Sequence, residues 1–243
     1  MNESIKKPSW FLHLTEVFRA IIETIRGYLF IKQRQYVNIG HGTPVMVVPG
    51  LLSSDRSTTI LRKFLHQSGF KVQGWEMGTN LGRMQSLEVL RQKVEQLSDT
   101  TGQKVILIGW SMGGIFSREI AKQLPEKVKY LITVGSPFAN LQAPNHAKWI
   151  FNLLNKESEI DQVFAGQVPI PAQIPTLCLY SKQDGIVPWQ ACMENCEDEL
   201  HANREIRSSH FGMGANPQVL REIEVYLNEL LKKESKSADV SNV

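Results

Sequence analysis

One stretch of the chain, residues 104–114, restricts the fold more than any other. Residues 105–108 are all apolar, which is typical of a strand buried on both faces of a sheet. The run leads into the pattern G-x-S-x-G around Ser111, and residues 115–124 then suit a helix. The sequence therefore predicts a strand, a sharp turn that contains Ser111, and a helix.

Small residues two positions before and two positions after Ser111 let the chain turn sharply without side-chain clashes. Such a turn is called a nucleophile elbow. It lifts the serine hydroxyl above the carboxyl edge of the sheet and directs the N–H of Met112 toward the same point. Because the pattern also arises by chance, its interpretation as a catalytic serine depends on partners elsewhere in the chain.

Strand-like and helix-like segments alternate from residue 45 onward, which predicts an α/β fold with a mostly parallel central sheet and helices on both faces. The predicted strands are residues 45–48, 70–75, 105–108, 128–134, 175–180 and 204–207, and the predicted helices are residues 55–66, 86–97, 115–124 and 216–233. We expect one domain over residues 37–233, with a short cap insertion at about 138–171 and a flexible tail at 234–243.

A long amphipathic helix is expected in an N-terminal extension, residues 1–36, with Ser9 as its N-cap. Six lysines and arginines in this extension oppose three glutamates, so its charge of +3 equals that of the whole chain. A basic helix with aromatic side chains can contact an anionic membrane. The alternative is that it covers the open edge of the sheet, which we favour because Glu16 and Glu23 dilute the positive charge.

The composition excludes several classes of protein. The chain after residue 36 is neutral on balance, so no nucleic-acid partner is expected. Charged residues interrupt the N-terminal apolar stretch, which argues against a signal peptide. Three cysteines argue against a disulfide framework and favour the cytoplasm, with or without peripheral membrane contact. Cys192, Cys196 and His201 lack a fourth ligand at fitting spacing, so we expect no metal.

Two further loops at predicted strand ends carry partners for Ser111. Asp184 lies in D-G-I-V-P after the strand at residues 175–180, and His210 lies in S-H-F-G-M after the last strand. Ligands of parallel sheets bind outside the carboxyl ends of the strands, so these loops are expected to meet. We predict Ser111 as nucleophile, His210 as general base and Asp184 as the carboxylate that orients the imidazole.

Other residues suit these roles less well. Asp161 and Asp198 are weaker alternatives to Asp184, whose Asp-Gly sequence is also a turn signal in its own right. The remaining histidines lie in helix-like or polar stretches, before a strand or in the insertion: His13, His41, His66, His146 and His201.

An acyl-transfer site also needs N–H donors for the negative charge that develops on the carbonyl oxygen. The N–H of Met112 is the first candidate. The second is the N–H of Leu51 in the loop P-G-L-L after the first strand, because Gly50 lets the backbone approach closely.

The motifs G-W-S-M-G-G, P-G-L-L, D-G-I-V-P and S-H-F-G-M together resemble the α/β-hydrolase superfamily, and specifically its compact lipase- and esterase-like members. The resemblance covers about residues 44–233. It implies a serine enzyme without cofactor, with the catalytic residues Ser111, Asp184 and His210 and the oxyanion donors Leu51 and Met112. Two departures are Pro49-Gly50, where many lipases have His-Gly, and a long helix that replaces the usual first strands.

The resemblance favours a serine carboxylic-ester hydrolase that acts on a small-molecule or lipid ester with an apolar acyl group. An acyltransferase or thioesterase would use the same three residues and differ only in the acceptor. A non-catalytic lipid-binding module is the alternative from another class, although such a protein has typically lost one of the three residues. The oligomeric state stays open.

Overall fold

A computed structural model describes residues 5–147, 166–195 and 198–241, the last five of these by their backbone alone. The strands are β1 (Pro44–Val48), β2 (Lys71–Gln73), β3 (Val105–Trp110), β4 (Val128–Val134), β5 (Thr176–Tyr180) and β6 (His201–Glu205). Within the described residues they form one parallel sheet in the order β2-β1-β3-β4-β5-β6. The chain therefore has the predicted parallel α/β architecture.

The helices flank this sheet and connect its strands. They are α1 (Trp10–Gln33), α2 (Thr59–Gln67), α3 (Met84–Thr101), α4 (Met112–Gln123) and α5 (Pro217–Ser241), with short 3₁₀ helices at Asp55–Thr58 and Trp189–Cys192. Ser9 caps α1 as predicted, because its side chain accepts a hydrogen bond from the N–H of Leu12.

The uninterrupted apolar runs of the central strands follow from burial on both faces of the sheet. Successive side chains of a strand point to opposite faces. Val45 and Val47 of β1 thus pack in one core cluster with side chains of α2 and α5. Met46 and Val48 pack in a second cluster with α3 and α4. The two clusters hold the strand ends, and therefore the loops after them, in fixed relative positions.

Several boundaries differ from the predicted ones. Strand β6 begins at His201, three residues before the predicted start, so His201 lies in the sheet and not in a polar loop. Helix α5 continues eight residues past Lys233, through residues predicted to form a polar tail. Glu234 anchors this extension, because it accepts a hydrogen bond from Tyr130 Oη (2.5 Å) and pairs with Lys129 Nζ (2.6 Å). Most of the predicted cap, including Asp161, lies outside the described residues, as does Cys196.

Helix α1 lies on the loops that follow β5 and β6 at the carboxyl edge of the sheet, and it also meets α2 and α5. This position differs from the expected one along the open edge of the sheet. The buried residues of its N-terminal two thirds are carboxylates, Glu16 and Glu23, which bind loop groups. Gly27 completes the contact, since a Cβ atom there would lie 1.9 Å from the carbonyl oxygen of Ala215.

The opposite side of α1 points away from the protein and is apolar. We call it the outer face and define it by the ten large side chains of α1 that are 41–77% exposed. They are Trp10, Phe11, Leu14, Val17, Phe18, Ile21, Ile22, Ile25, Tyr28 and Leu29. Among the described residues, no helix combines the length and apolar character that a membrane-spanning segment needs.

Candidate active site

Ser111 occupies the turn between β3 and α4, as its motif predicts. Its backbone has φ 52° and ψ −121°, a region that residues other than glycine rarely adopt. The surrounding packing holds this conformation, because the N–H of Ser111 donates to the carbonyl of Val134 at 2.8 Å. The hydroxyl thus leaves the chain at the carboxyl edge of the sheet, at the first turn of α4.

The two glycines of the motif are required by close backbone contacts. A Cβ atom on Gly109 would lie 2.4 Å from the carbonyl oxygen of Gly113. A Cβ atom on Gly113 would lie 2.3 Å from the carbonyl oxygen of Val48. A larger residue at either position would push α4 away from β1 and β3, so the turn needs small residues for steric reasons.

The three predicted side chains are hydrogen-bonded in one chain. Nε2 of His210 lies 3.0 Å from Oγ of Ser111, and Nδ1 of His210 lies 2.6 Å from Oδ2 of Asp184. Since a carboxylate only accepts hydrogen bonds, we assign the imidazole proton to Nδ1, which leaves Nε2 free to accept the serine proton. Asp184 and His210 are both buried, whereas Ser111 is partly exposed.

Opposing effects set the pKa of His210. Burial disfavours the imidazolium and lowers the pKa, but the charge and hydrogen bond of Asp184, with a further contribution from the charge of Glu16, outweigh it. The pKa of His210 is therefore raised above its usual value of 6.5. An imidazole with these neighbours is a stronger base than an isolated one. When it takes a proton, the carboxylate of Asp184 stabilises the imidazolium that forms.

Asp184 has two separate functions in its loop, one for each carboxylate oxygen. Oδ1 accepts hydrogen bonds from the N–H groups of Ile186 (2.7 Å) and Val187 (2.9 Å) and so closes the turn after β5. Oδ2 faces His210. Asp184 can therefore stabilise its own turn and orient His210 at the same time.

Glu16 of α1 binds the loops of both Asp184 and His210 and is a site residue that the sequence reasoning missed. Its Oε1 accepts hydrogen bonds from the N–H groups of Gly185 (2.7 Å) and His210 (3.1 Å), and its Oε2 accepts one from Phe211 (3.2 Å). The carboxylate is 1% exposed and pairs with Arg19 at 2.9 Å. Glu16 thereby fixes the backbone on both sides of the Asp184–His210 contact.

Glu23 lies two helical turns further along α1 and holds the segment just before His210. Its Oε2 accepts a hydrogen bond from Ser208 Oγ (2.5 Å), and its Oε1 accepts one from the N–H of Ser209 (2.9 Å). The sequence does contain one indication that both glutamates face the protein. Glu16, Glu23 and Gly27 are spaced so that they fall on one side of a helix. The sequence alone presents the two carboxylates as charges that weaken a basic helix, and it does not show that they bind loops.

The loop P-G-L-L lies beside Ser111, as required of an oxyanion donor. A Cβ atom on Gly50 would be 3.2 Å from the Cβ of Ser111. Among the described residues, no hydrogen bond occupies the N–H of Leu51 or the N–H of Met112. Buried Asn80 holds the loop. Its side-chain amide donates to the carbonyl of Pro49 (2.8 Å), and its backbone carbonyl accepts a hydrogen bond from the N–H of Leu52 (2.7 Å).

Two of the residues considered for a metal site, Cys192 and His201, have hydrogen-bond partners within the protein. His201 uses both ring nitrogens, one toward Asp198 and the other toward the carbonyl of Ala172, each at 2.8 Å. Burial raises the pKa of the Cys178 thiol to about 12 and that of Cys192 well above its usual value. The described part of the chain holds no group of three or more His, Cys, Asp or Glu side chains suited to a metal ion.

Comparisons with known proteins agree with the topology. The family model of the α/β-hydrolase fold matches residues 48–157. Aspergillus fumigatus lipase B is 17% identical with a TM-score of 0.59, over 76% of this chain and 52% of the lipase, so this chain spans about half of that protein. A comparison with curated proteins finds no match.

Two smaller lipases align over nearly their whole length. The monoacylglycerol lipase of Paleococcus ferrophilus is 16% identical with a TM-score of 0.55, over 78% of this chain and 95% of the lipase. The mature lipase BlEst2 of Bacillus licheniformis is also 16% identical with a TM-score of 0.59, over 77% of this chain and 92% of the lipase. Together with the parallel sheet and the family match, these similarities show that the chain is a protein of the α/β-hydrolase fold.

Proposed function

We propose that the protein is a serine carboxylic-ester hydrolase that cleaves esters of an apolar acyl group through an acyl-enzyme on Ser111. The observation that carries this proposal is the buried hydrogen-bonded chain from Asp184 through His210 to Ser111, with contacts of 2.6 and 3.0 Å. The similar solved structures are named as lipases, but at this level of identity they support the fold, and the chemistry rests on the three residues.

The geometry supports a two-step reaction. Ser111 Oγ attacks the ester carbonyl carbon while His210 Nε2 takes the hydroxyl proton, and the N–H groups of Leu51 and Met112 bind the resulting oxyanion. The intermediate expels the alcohol, which receives the proton from His210. A water molecule then gives a proton to His210 and attacks the acyl-enzyme, and collapse releases the carboxylic acid and returns the proton to Ser111.

The preference for an apolar acyl group rests on the side chains around the site. Beside Ser111, His210 and the proposed oxyanion donors, four apolar residues keep at least part of their surface exposed: Leu51, Leu52, Met112 and Phe211. An acyl chain that contacts such side chains loses apolar surface to solvent, which favours binding in proportion to the area covered.

The test is a screen of p-nitrophenyl esters of graded chain length with the Ser111→Ala variant as control. We expect hydrolysis by the native protein, covalent labelling of Ser111 by a fluorophosphonate, and a loss of about 10⁴-fold or more in kcat for the variant. Unchanged hydrolysis or labelling in Ser111→Ala would contradict the proposal. Adding an alcohol or a thiol acceptor and measuring transfer products against free acid separates hydrolysis from acyl transfer.

A further inference from the structure

We propose that the outer face of α1 docks the protein on the surface of an anionic phospholipid bilayer. The helix is inverted relative to an ordinary amphipathic helix of a globular protein. Its carboxylates Glu16 and Glu23 are 1% and 9% exposed, while the large apolar side chains of the outer face point into solvent. An exposed apolar surface of this size marks an interaction site, and among the described residues nothing covers it.

The outer face is continuous along most of the helix. It runs from Trp10 to Leu29, which is about 28 Å at 1.5 Å per residue. It includes Trp10 and Tyr28, whose rings combine an apolar body with a polar group and suit the region between lipid headgroups and acyl chains. An exposed apolar strip of this length and composition is typical of helices that lie in the plane of a membrane interface.

The charges around the outer face select an anionic surface. Within residues 5–33, every exposed charged side chain is basic: Lys6, Lys7, Arg26 and Lys32. The two glutamates of this segment lower its net charge, but they are buried against Arg19 and loop N–H groups. The surface that a partner meets is therefore apolar in its centre and positive at both ends, which complements anionic headgroups.

The same charges disfavour a second copy of the chain as the occupant of this face. Lys6 and Lys7 precede the helix and Lys32 lies in its last turn, so both ends of the outer face are positive. Two outer faces packed together in either orientation would bring like charges close, which costs binding free energy. A bilayer with anionic lipids meets no such repulsion.

Docking through the outer face would orient the site toward the membrane. The inner side of α1 is bound to the loops of Asp184 and His210, so the helix lies flat on the protein with its outer face pointing away from them. The loops are then separated from the bilayer by about the 10 Å width of one helix. Only the corollary that the substrate is a membrane lipid ester rests on the proposed function; the docking itself does not.

The test is flotation of the full chain with vesicles of phosphatidylcholine alone and of phosphatidylcholine with an equal part of phosphatidylglycerol. We expect binding to the mixed vesicles at low salt. The triple variant Leu14→Gln/Phe18→Gln/Ile25→Gln should bind at least about tenfold more weakly, since each substitution removes apolar contact with lipid. The charge variant Lys6→Gln/Lys7→Gln/Lys32→Gln should lose the preference for the anionic vesicles.

A matched control separates docking from general surface hydrophobicity. Val89→Gln/Ile170→Gln/Val225→Gln replaces three side chains that are 44–55% exposed elsewhere on the protein, and it should bind like the native chain. All these positions are exposed, so thermal melting curves should stay unchanged and exclude misfolding. The Ser111→Ala variant should float like the native chain, so a failure of the proposed function would leave this result intact.

Three outcomes would overturn the docking proposal. The first is that the native chain ignores anionic vesicles at low salt. The second is that the control variant loses as much binding as the outer-face variant. The third is that sedimentation velocity without lipid gives a dimer of the native chain and a monomer of the outer-face variant, because a second copy would then occupy the face.

Discussion

The proposed site has two parts that are held in place by different means. In the elbow, which we define as residues 109–113, Ser111 is fixed by backbone contacts within the motif and with strands β1 and β4. In the acid–base part, which we define as the loops of Asp184 and His210, the backbone is held by Glu16, which lies 169 residues before Gly185 and 194 residues before His210. The elbow is therefore fixed by backbone groups of its motif and of the adjacent strands, whereas the two loops are held by a side chain from a distant helix.

Substitutions in the two parts are also expected to have different physical consequences. The elbow uses hydrogen bonds and steric contacts of the backbone, so it depends on small residues more than on any functional group. The acid–base part uses buried carboxylates, and loss of one carboxylate leaves buried N–H donors without acceptors, each at a cost of about 1–3 kcal/mol. Helix α1 therefore contacts the proposed site through its inner side, while the side chains of its outer face are exposed.

The largest effect is expected where the two parts meet, at the contact between Ser111 and His210. Ser111→Ala and His210→Ala should each lower kcat/KM for a small ester by about 10⁴-fold or more. The double variant should be no worse than either single variant, since the two side chains act as a unit. Steady-state kinetics of the three variants check this. Multiplicative losses in the double variant would show that the 3.0 Å contact is not used in the reaction.

The next largest effect is expected from the backbone contacts of the elbow. Gly113→Val places side-chain atoms where a Cβ alone would already lie 2.3 Å from the carbonyl of Val48. We expect a loss of about 3 kcal/mol in the free energy of unfolding, together with loss of activity. Chemical denaturation measures the first quantity. A variant of native stability would mean that β1 and α4 can separate freely, in contradiction to the close packing described above.

A smaller effect is expected from Glu16, and it should appear in the pH profile. Activity requires neutral His210, so kcat/KM should rise with pH through a midpoint above 6.5, because the pKa of His210 is raised. Glu16→Gln removes one of the charges that raise this pKa, so the midpoint should move to lower pH. Glu16→Ala also frees three loop N–H groups and should lower kcat/KM by about 10- to 100-fold through misplacement of the imidazole.

Two observations would contradict the positioning role of Glu16. One is a Glu16→Ala variant that is destabilised but keeps its kcat/KM and pH profile, which would make the residue a purely structural anchor. The other is a Glu16→Gln midpoint at or above the native value. Either result would mean that the loops of Asp184 and His210 keep their positions without Glu16.

The difference between the two parts also explains how much the sequence could predict. The elbow, the alternation of strands and helices, and the meeting of Ser111, Asp184 and His210 follow from local pattern and from the shared edge of parallel strands. The burial of Glu16 does not, because the usual rule places apolar side chains inside and charges outside. That rule is reversed in α1 because the loops after β5 and β6 present buried N–H groups that need acceptors, and the two glutamates supply them. The need for these acceptors is visible only in the folded arrangement.

The smallest effect is expected from Glu23→Gln, which is a matched comparison for Glu16→Gln. One oxygen of Glu23 accepts from the hydroxyl of Ser208 and the other from the N–H of Ser209. A hydroxyl can reverse its role, so the new amide group can donate to Ser208 Oγ while the remaining oxygen keeps its bond to Ser209. Both oxygens of Glu16, in contrast, accept from backbone N–H groups. A backbone N–H cannot accept a hydrogen bond, so the amide group of Glu16→Gln would leave its partner unsatisfied.

We therefore expect Glu23→Gln to change the free energy of unfolding by less than about 1 kcal/mol and to leave the pH midpoint of kcat/KM unchanged. Glu23→Ala leaves the N–H of Ser209 without its acceptor, while Ser208 Oγ can still donate to the carbonyl of Ser209 (2.9 Å), and should cost about 2 kcal/mol. Denaturation curves and pH profiles of the two variants provide the measurement. If Glu23→Gln moved the pH midpoint as far as Glu16→Gln does, the shift would reflect general disturbance of α1. The specific contact between Glu16 and the His210 loop would then lose its proposed role.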